Sequence, residues 1–362
     1  MPEKERRQDE ISREMFAESE ANWQPYYEIR DELLGRHEWV KYLLEGGGES
    51  LSGFDPKIDF AKIEMNMRSS GVITASTPYH KRVEVKRFVH FTSFQVFKEI
   101  MNSGVIRLYN PHFGNDPNEV LFGSKERYNT DVDSEKNLKN LFILSMNEEE
   151  AKEDLTMWKL YGHAGAGVGL VLEFENPVEE WRNWYFGKVL YGNNQALEKL
   201  DTFHKDYKEV QAKMGPSPLL DIDIVPIYAF HKSGLFHSEN EVRLLYYKKS
   251  IEGRHEYNKP AFPEGVEIKK TLNAELKDTY YLEYPVYWKQ GEDLKFLSEY
   301  ISGPRIRIKE VILGHKFKPE DAEMFETWCS DLMNNEYGID RHKRRIASPI
   351  VSISPLHKYF KK

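Results

Sequence analysis

Glu239-Asn240-Glu241 sets two carboxylates around one asparagine, just ahead of Arg243. On extended backbone, side chains at i and i+2 point the same way. One carboxylate can then enter a cleft while the other meets Arg243 or an acceptor group. The plainer reading is a solvated charged turn in which Arg243 is paired locally. A second set is Met157-Trp158-Lys159-Leu160-Tyr161-Gly162, followed by Gly165, Gly167 and Gly169. Trp158 and Tyr161 share one face of a short helix, with Leu155, Trp158 and Leu160 turned inward. The glycines behind them let another group come close. Together these make a wall for a flat, uncharged ring. An aromatic core contact followed by a glycine turn uses the same residues, and residue types alone favour it. His90 is the third piece, at the end of the apolar run Phe88-Val89-His90-Phe91, where a strand end can face a cleft.

Composition narrows the field. A chain of 362 residues, 40% of them hydrophobic, can bury a large core as one domain or one domain with an added module. Cys329 is the one cysteine, which excludes an internal disulfide and a cysteine-rich metal site and fits a reducing compartment. The sequence holds no apolar run long enough for a membrane span, and Pro2-Glu3-Lys4-Glu5-Arg6-Arg7 is no signal-peptide core, so the chain reads as cytoplasmic. The net charge of -8 argues against general coating of nucleic acid. Basic clusters at Lys81-Arg82 with Lys86-Arg87, at Arg305 to Lys309 and at Arg341 to Arg345 read as solvated surface. The chain has no glycine–lysine phosphate loop, no zinc spacing and no nucleophile elbow, so no metal is expected. Gly165, Gly167 and Gly169 recur at every second position, which is not the dinucleotide fingerprint.

The elements that must position these residues follow from periodicity. Residues 1–22 are strongly polar and read as a frayed helix or a disordered arm. Ile29, Leu33, Val40 and Leu44 recur at helical spacing and need a surface to cover, on the main domain or on another chain. Residues 1–85 are therefore an accessory N-terminal region and 86–362 the main domain. The main domain opens as strand, helix and strand: Phe88–Phe91, a helix capped at Thr92 with Gln95 three positions on, then Gly104 and the strand from Val105. Leu141–Met146 is an apolar strand, and Val168–Phe174 alternates as one. Residues 177–220 read as largely helical or irregular, and about Asp221 to Lys232 as another helix. Strands follow at Leu244–Tyr247, Tyr280–Leu282 and Glu310–Gly314, then a helix over 318–335 with Ala322, Phe325, Trp328 and Leu332 inward. Ile350–Ile353 is a last strand. Without a regular βαβ repeat, the class is α+β.

The order of these pieces resembles a group of bacterial proteins of unassigned function. Those carry an early His-x-Thr, then Asn-Asp-Pro-x-Glu, Met-Trp-x-x-Tyr with glycines, Glu-x-Glu-x-Arg and a late Ile/Val-x-Leu-Gly strand. Here the pieces are His90-Phe91-Thr92, Asn115 to Glu119, Met157 to Gly169, Glu239 to Arg243 and Val311 to Gly314. They span roughly residues 86–355. The same order resembles the His, Tyr, Glu series of the ADP-ribosyltransferase superfamily. That resemblance implies a split β-sandwich binding NAD in its central cleft, here with a helical N-terminal extension. It implies transfer of ADP-ribose to a protein or nucleic-acid acceptor, in a toxin or phage-defence setting. An antitoxin or other partner would then meet residues 1–85. A non-catalytic ligand-binding or partner-binding module on the same fold is the alternative.

The resemblance also implies roles. Cleaving the nicotinamide–ribose bond passes through an oxocarbenium-like state, which a carboxylate facing it stabilises. Glu241 takes that part, and Glu239 orients or deprotonates the acceptor. Tyr161 with Trp158 stacks on the nicotinamide, His90 bonds a ribose hydroxyl, and Thr92 assists. Asn115, Asp116 and Glu119 shape the cleft rim. Phe91 departs from the small residue or Thr usual beside the His.

Overall fold

A computed structural model describes residues 23–44, 48–52, 62–66, 87–111, 140–175, 181, 184–192, 195–214, 219–248, 268–272, 278–287, 303–336 and 349–360. Helices are α1 (23–36), α2 (Glu38–Leu44), α3 (Phe94–Ser103), α4 (Leu155–Leu160), α5 (Gln195–Met214) and α6 (Pro319–Glu336). Strands are β1 (Gly48–Ser52), β2 (Lys62–Asn66), β3 (Arg87–Thr92), β4 (Val105–Tyr109), β5 (Leu141–Glu148), β6 (Val168–Phe174), β7 (Trp184–Lys188) and β8 (Leu190–Tyr191). Then come β9 (Leu219–Asp223), β10 (His231–Lys232), β11 (Glu241–Tyr247), β12 (Lys269–Leu272), β13 (Asp278–Tyr287), β14 (Ile306–Leu313) and β15 (Ile350–Ile353). The mixture is α+β. No helix among the described residues is long and apolar enough to cross a membrane.

The chain divides into two compact units, Met1–Arg68 with Asn194–Ile224, and Ser69–Asn193 with Val225–Lys362. In the first, β1, β2 and β9 form a three-stranded sheet. Leu33, Val40 and Leu44 are buried there, as their spacing requires, and Ile29 is half-buried. α5 packs beside them in the same unit. His37 and Trp39 meet Phe203 edge-on at 5.3 and 5.7 Å, and His37 Nε2 lies 3.0 Å from Asp206 Oδ2. Residues 194–224 thus belong with the N-terminal unit, whereas the sequence reading put them in the main domain. The helix expected from about Asp221 to Lys232 is also corrected. Leu220, Ile222 and Ile224 are buried at every second position as β9 and its exit, and helix is confined to the single turn Val225–Tyr228. Residues 1–22 lie outside the described residues.

In the second unit six strands close on themselves. β14 pairs with β6, β6 with β3, β3 with β5, β5 with β4, β4 with β13, and β13 with β14. Two edges in this ring are shared. β3 and β4 divide one edge of β5, and β13 and β15 divide one edge of β14. β11 lies along the other edge of β5 and carries β7 beyond it. β7 corrects the irregular reading of 177–220, since Trp184, Tyr185 and Phe186 are all buried strand residues. One sheet face packs Phe88, Leu144, Leu170 and Leu244 against Phe97, Ile100 and Met101 of α3 and Phe325 and Cys329 of α6. Residues of opposite parity, Val89, Phe91, Val171 and Ile312, pack with Met157 and Trp158. All seven residues of β11 are buried because both of its faces are covered.

Two helix ends fix the approach to the site. α3 begins at Ser93, whose Oγ accepts from Val96 N at 3.2 Å, so the cap lies one residue later than expected and Thr92 stays in β3. Its other end is the left-handed Gly104, φ 70°, as the sequence indicates. After α4 the backbone runs through left-handed His163, Ala164 and Gly165. A Cβ on Gly167 would stand 2.3 Å from the Thr92 carbonyl oxygen, a backbone atom that has no rotamer to escape by. Gly167 therefore admits protein backbone, while Gly165 makes room for the His315 ring and Gly169 faces the Val89 and Phe91 side chains. Gly167→Ala is expected to destabilise this unit by about 1–3 kcal/mol, seen as a lower melting temperature. Gly35→Ala, with nothing within 4 Å of its added Cβ, serves as the control and should hold or raise it.

Candidate functional site: a buried carboxylate cluster at the head of β11

The segment Gly234–Glu239 is a 3-10 turn that ends on Asn240 at φ 43°, ψ 48°. Asparagine tolerates this left-handed conformation better than most residues. Glu239 and Glu241 are therefore not neighbours on one extended segment, as the sequence reading assumed. They still converge. Lys232 Nζ lies 2.5 Å from Glu239 Oε2 and 3.4 Å from Glu241 Oε2. Arg243 holds Glu241 from the other side as a two-pronged donor, Nε to Oε1 at 2.8 Å and Nη2 to Oε2 at 2.9 Å. Its Nη1 donates to the Ala229 carbonyl, and the side chain is fully buried. Local pairing of Arg243 is thus correct, and a solvated setting is not.

β5 supplies the floor. Ser145 stands opposite Arg243 and Asn147 opposite Glu241 across the β5–β11 ladder, so all four share a face. Asn147 Nδ2 donates to the Glu239 carbonyl at 2.5 Å and pins the turn. Tyr191 Oη accepts the Glu241 N–H at 2.9 Å. Burial pushes the Glu241 carboxyl up, but the charge and hydrogen bonds of Arg243, the charge of Lys232 and a hydrogen bond from Ser145 outweigh it. The group is held down at about 2. A fixed anion results.

Tyr161 closes one side. It ends α4, whose first turn is capped by Asp154 accepting from Thr156 N at 2.7 Å. Its hydroxyl donates to Glu239 Oε1, while the residue keeps 44% of its surface exposed. Trp158, one turn earlier, is fully buried. Its Nε1 donates to the Lys152 carbonyl at 2.9 Å, and its ring meets Phe91 edge-on at 5.0 Å. It backs the wall and offers no free face. Leu160 is exposed, not turned inward, and Leu155 is half-buried.

His90 joins from β3. That strand pairs with β5 only through Phe88–Glu148 and Val89–Asn147, and beyond it His90 Nδ1 lies 2.9 Å from the Ser145 carbonyl oxygen. A carbonyl can only accept, so Nδ1 carries the hydrogen and Nε2 is an acceptor. Burial pushes the imidazole down and favours this neutral form, and it outweighs the Ser145 hydrogen bond, which pushes the other way. One residue, Ser145, thus touches both His90 and Glu241. Thr92 is buried at the end of the same strand. Asn115, Asp116 and Glu119 lie outside the described residues.

Comparison of the chain with family models, with curated proteins and with solved structures finds no match. The site stands on its geometry. Four of its members, Ser145, Asn147, Tyr191 and Lys232, were not read from the sequence. A signal existed for two of them, since Ser145 and Asn147 are polar residues at alternate positions of the otherwise apolar run Leu141–Asn147. Lys232 was hidden by the helical reading of its segment.

Proposed function

We propose that the protein consumes NAD as an ADP-ribosyltransferase, breaking the nicotinamide–ribose bond and passing ADP-ribose to a protein or nucleic-acid acceptor. The observation that carries this reading is Glu241, a preorganised buried anion two residues from a carboxylate that accepts from the hydroxyl of the half-exposed Tyr161. Fixed negative charge stabilises an oxocarbenium-like state without having to reorganise as it forms. In this scheme Glu241 faces the ribose, and Glu239, tied to the Tyr161 hydroxyl, receives the acceptor's proton. The Tyr161 ring stacks on nicotinamide, and the His90 Nε2 accepts from a ribose hydroxyl. Thr92 assists at the end of β3, and Trp158 supports the stack from behind. Asn115 and Asp116 rest on the resemblance alone. The split β-sandwich rests on the resemblance alone, since the strands described above close into a six-stranded ring. A toxin or defence effector is the setting we favour, with the N-terminal unit as the place for a partner or antitoxin.

One observation favours a non-catalytic binding module instead. Both Glu241 oxygens already carry donors, from Arg243 and Lys232. The test is nicotinamide release from NAD, with and without cell extract as acceptor source. Release by the wild type supports the transferase, and Tyr161→Ala should then raise KM more than it lowers kcat, because the stack acts in binding. No release under either condition, with NAD still bound in calorimetry, transfers the site to the binding-module reading.

A further inference from the structure

We infer that Lys232 is a positioning residue for the glutamate pair: its ammonium bridges Glu239 and Glu241 and lets both stay ionised at once. The role in catalysis rests on the NAD reading above, whereas the electrostatic role does not. Two carboxylates that share a site raise one another's proton affinity, since both charges cannot be tolerated without compensation. Arg243 compensates one of them and donates to Glu241 and the Ala229 carbonyl. Lys232 is the group in contact with both, at 2.5 and 3.4 Å, with its own side chain buried.

The surroundings look built to hold that ammonium in place. Lys232 belongs to β10, whose two residues pair in parallel with β8, Lys232 beside Tyr191. The same two-strand bridge therefore delivers the ammonium to the carboxylates and the Tyr191 hydroxyl to the Glu241 N–H. Phe236 lies under the ammonium, its ring centroid 4.9 Å away. Among the described residues, Arg243 on β11, Tyr161 at the end of α4 and Tyr191 on β8 are further titratable or charged groups that face the pair. His90 on β3 reaches the cluster through Ser145, and the His237 ring stands 5.6 Å from that of Tyr191. Burial pushes the Tyr191 phenol above its ordinary range and keeps it protonated, so it adds no charge.

The test compares wild type, Lys232→Met and Lys232→Arg by carboxyl carbon-13 titration and by the pH profile of nicotinamide release. In Lys232→Met the pair is expected to take up a proton about one pH unit or more higher than in the wild type. The acid limb of kcat/KM should move up with it. Lys232→Arg, which keeps the charge, should return both readouts most of the way. A residue that merely filled space would leave both where they are, and superimposable carboxyl titrations would overturn the inference. If Lys232→Met does not fold, Lys232→Met with Glu239→Gln is expected to fold, because one carboxylate is then left for Arg243. Failure of that double variant as well would also overturn it. A wild type that releases no nicotinamide counts against the NAD reading alone, and the titration still decides the part played by Lys232.

Discussion

Glu241→Gln is expected to lower nicotinamide release by about a hundredfold to a thousandfold, the usual loss when one preorganised electrostatic partner is removed. The substitution keeps the shape and removes the charge that Arg243, Lys232 and Ser145 hold in place. Glu239→Gln should act differently. Its carboxylate touches Tyr161 and Lys232, and Arg243 is engaged elsewhere, with Glu241 and the Ala229 carbonyl. Transfer to an acceptor should therefore fall while hydrolysis of NAD by water persists in part. Single-turnover rates with and without acceptor separate the two. Equal losses in both reactions for both variants would remove the division of roles, and an active Glu241→Gln would remove Glu241 from the chemistry.

The site was legible in the sequence where chemistry and backbone agree. Glu239, Glu241, Arg243 and Tyr161 do meet, although the route is a left-handed Asn240 and not an extended strand. His90 was legible as a strand-end residue, but its partner, the Ser145 carbonyl, is a backbone atom with no signature in residue types. Trp158 is the inward core contact that residue types favoured, and its stacking role rests on the resemblance. A large aromatic three residues from Tyr161 looks like its companion, yet the helix turns it onto Val89 and Phe91, with its ring edge in van der Waals reach of Gly169. Periodicity found β5, β6, β14 and α3 because their apolar residues repeat cleanly. It failed at β7, where aromatics crowd without alternation, and at β9 and β10, where a strand, one helical turn and a two-residue bridge share the fourteen positions 219–232. The packing of α5 with the N-terminal unit could not be seen, since a helix's partner is set by tertiary contacts that its own stripe does not name.

Arg243→Met is expected to be the most destabilising single change in the cluster, by about 3–5 kcal/mol. The guanidinium is fully buried, so its loss takes two donors from Glu241, leaves that carboxylate to a Lys232 it shares with Glu239, and removes the donor to the Ala229 carbonyl. In a unit of this size that corresponds to a fall in melting temperature on the order of ten degrees. Arg243→Lys should recover little, because an ammonium cannot reproduce the two-pronged contact. Pairing Arg243→Met with Glu241→Gln should recover much of it, since no buried charge is then left under-compensated. Acid supplies an independent check through its sign. In the wild type the Glu241 carboxyl lies at about 2 against an ordinary 4.5, so its stabilising share is complete above about 4.5 and disappears as pH falls toward 2. In Arg243→Met the under-compensated carboxylate is relieved by protonation, so that variant should lose less, or gain, over the same range. The gap in stability between the two proteins should therefore narrow from pH 7 to pH 3. A gap that stays constant would mean that Arg243 stabilises the fold through packing and its carbonyl contact, and that Glu241 is not the anion on which the site depends.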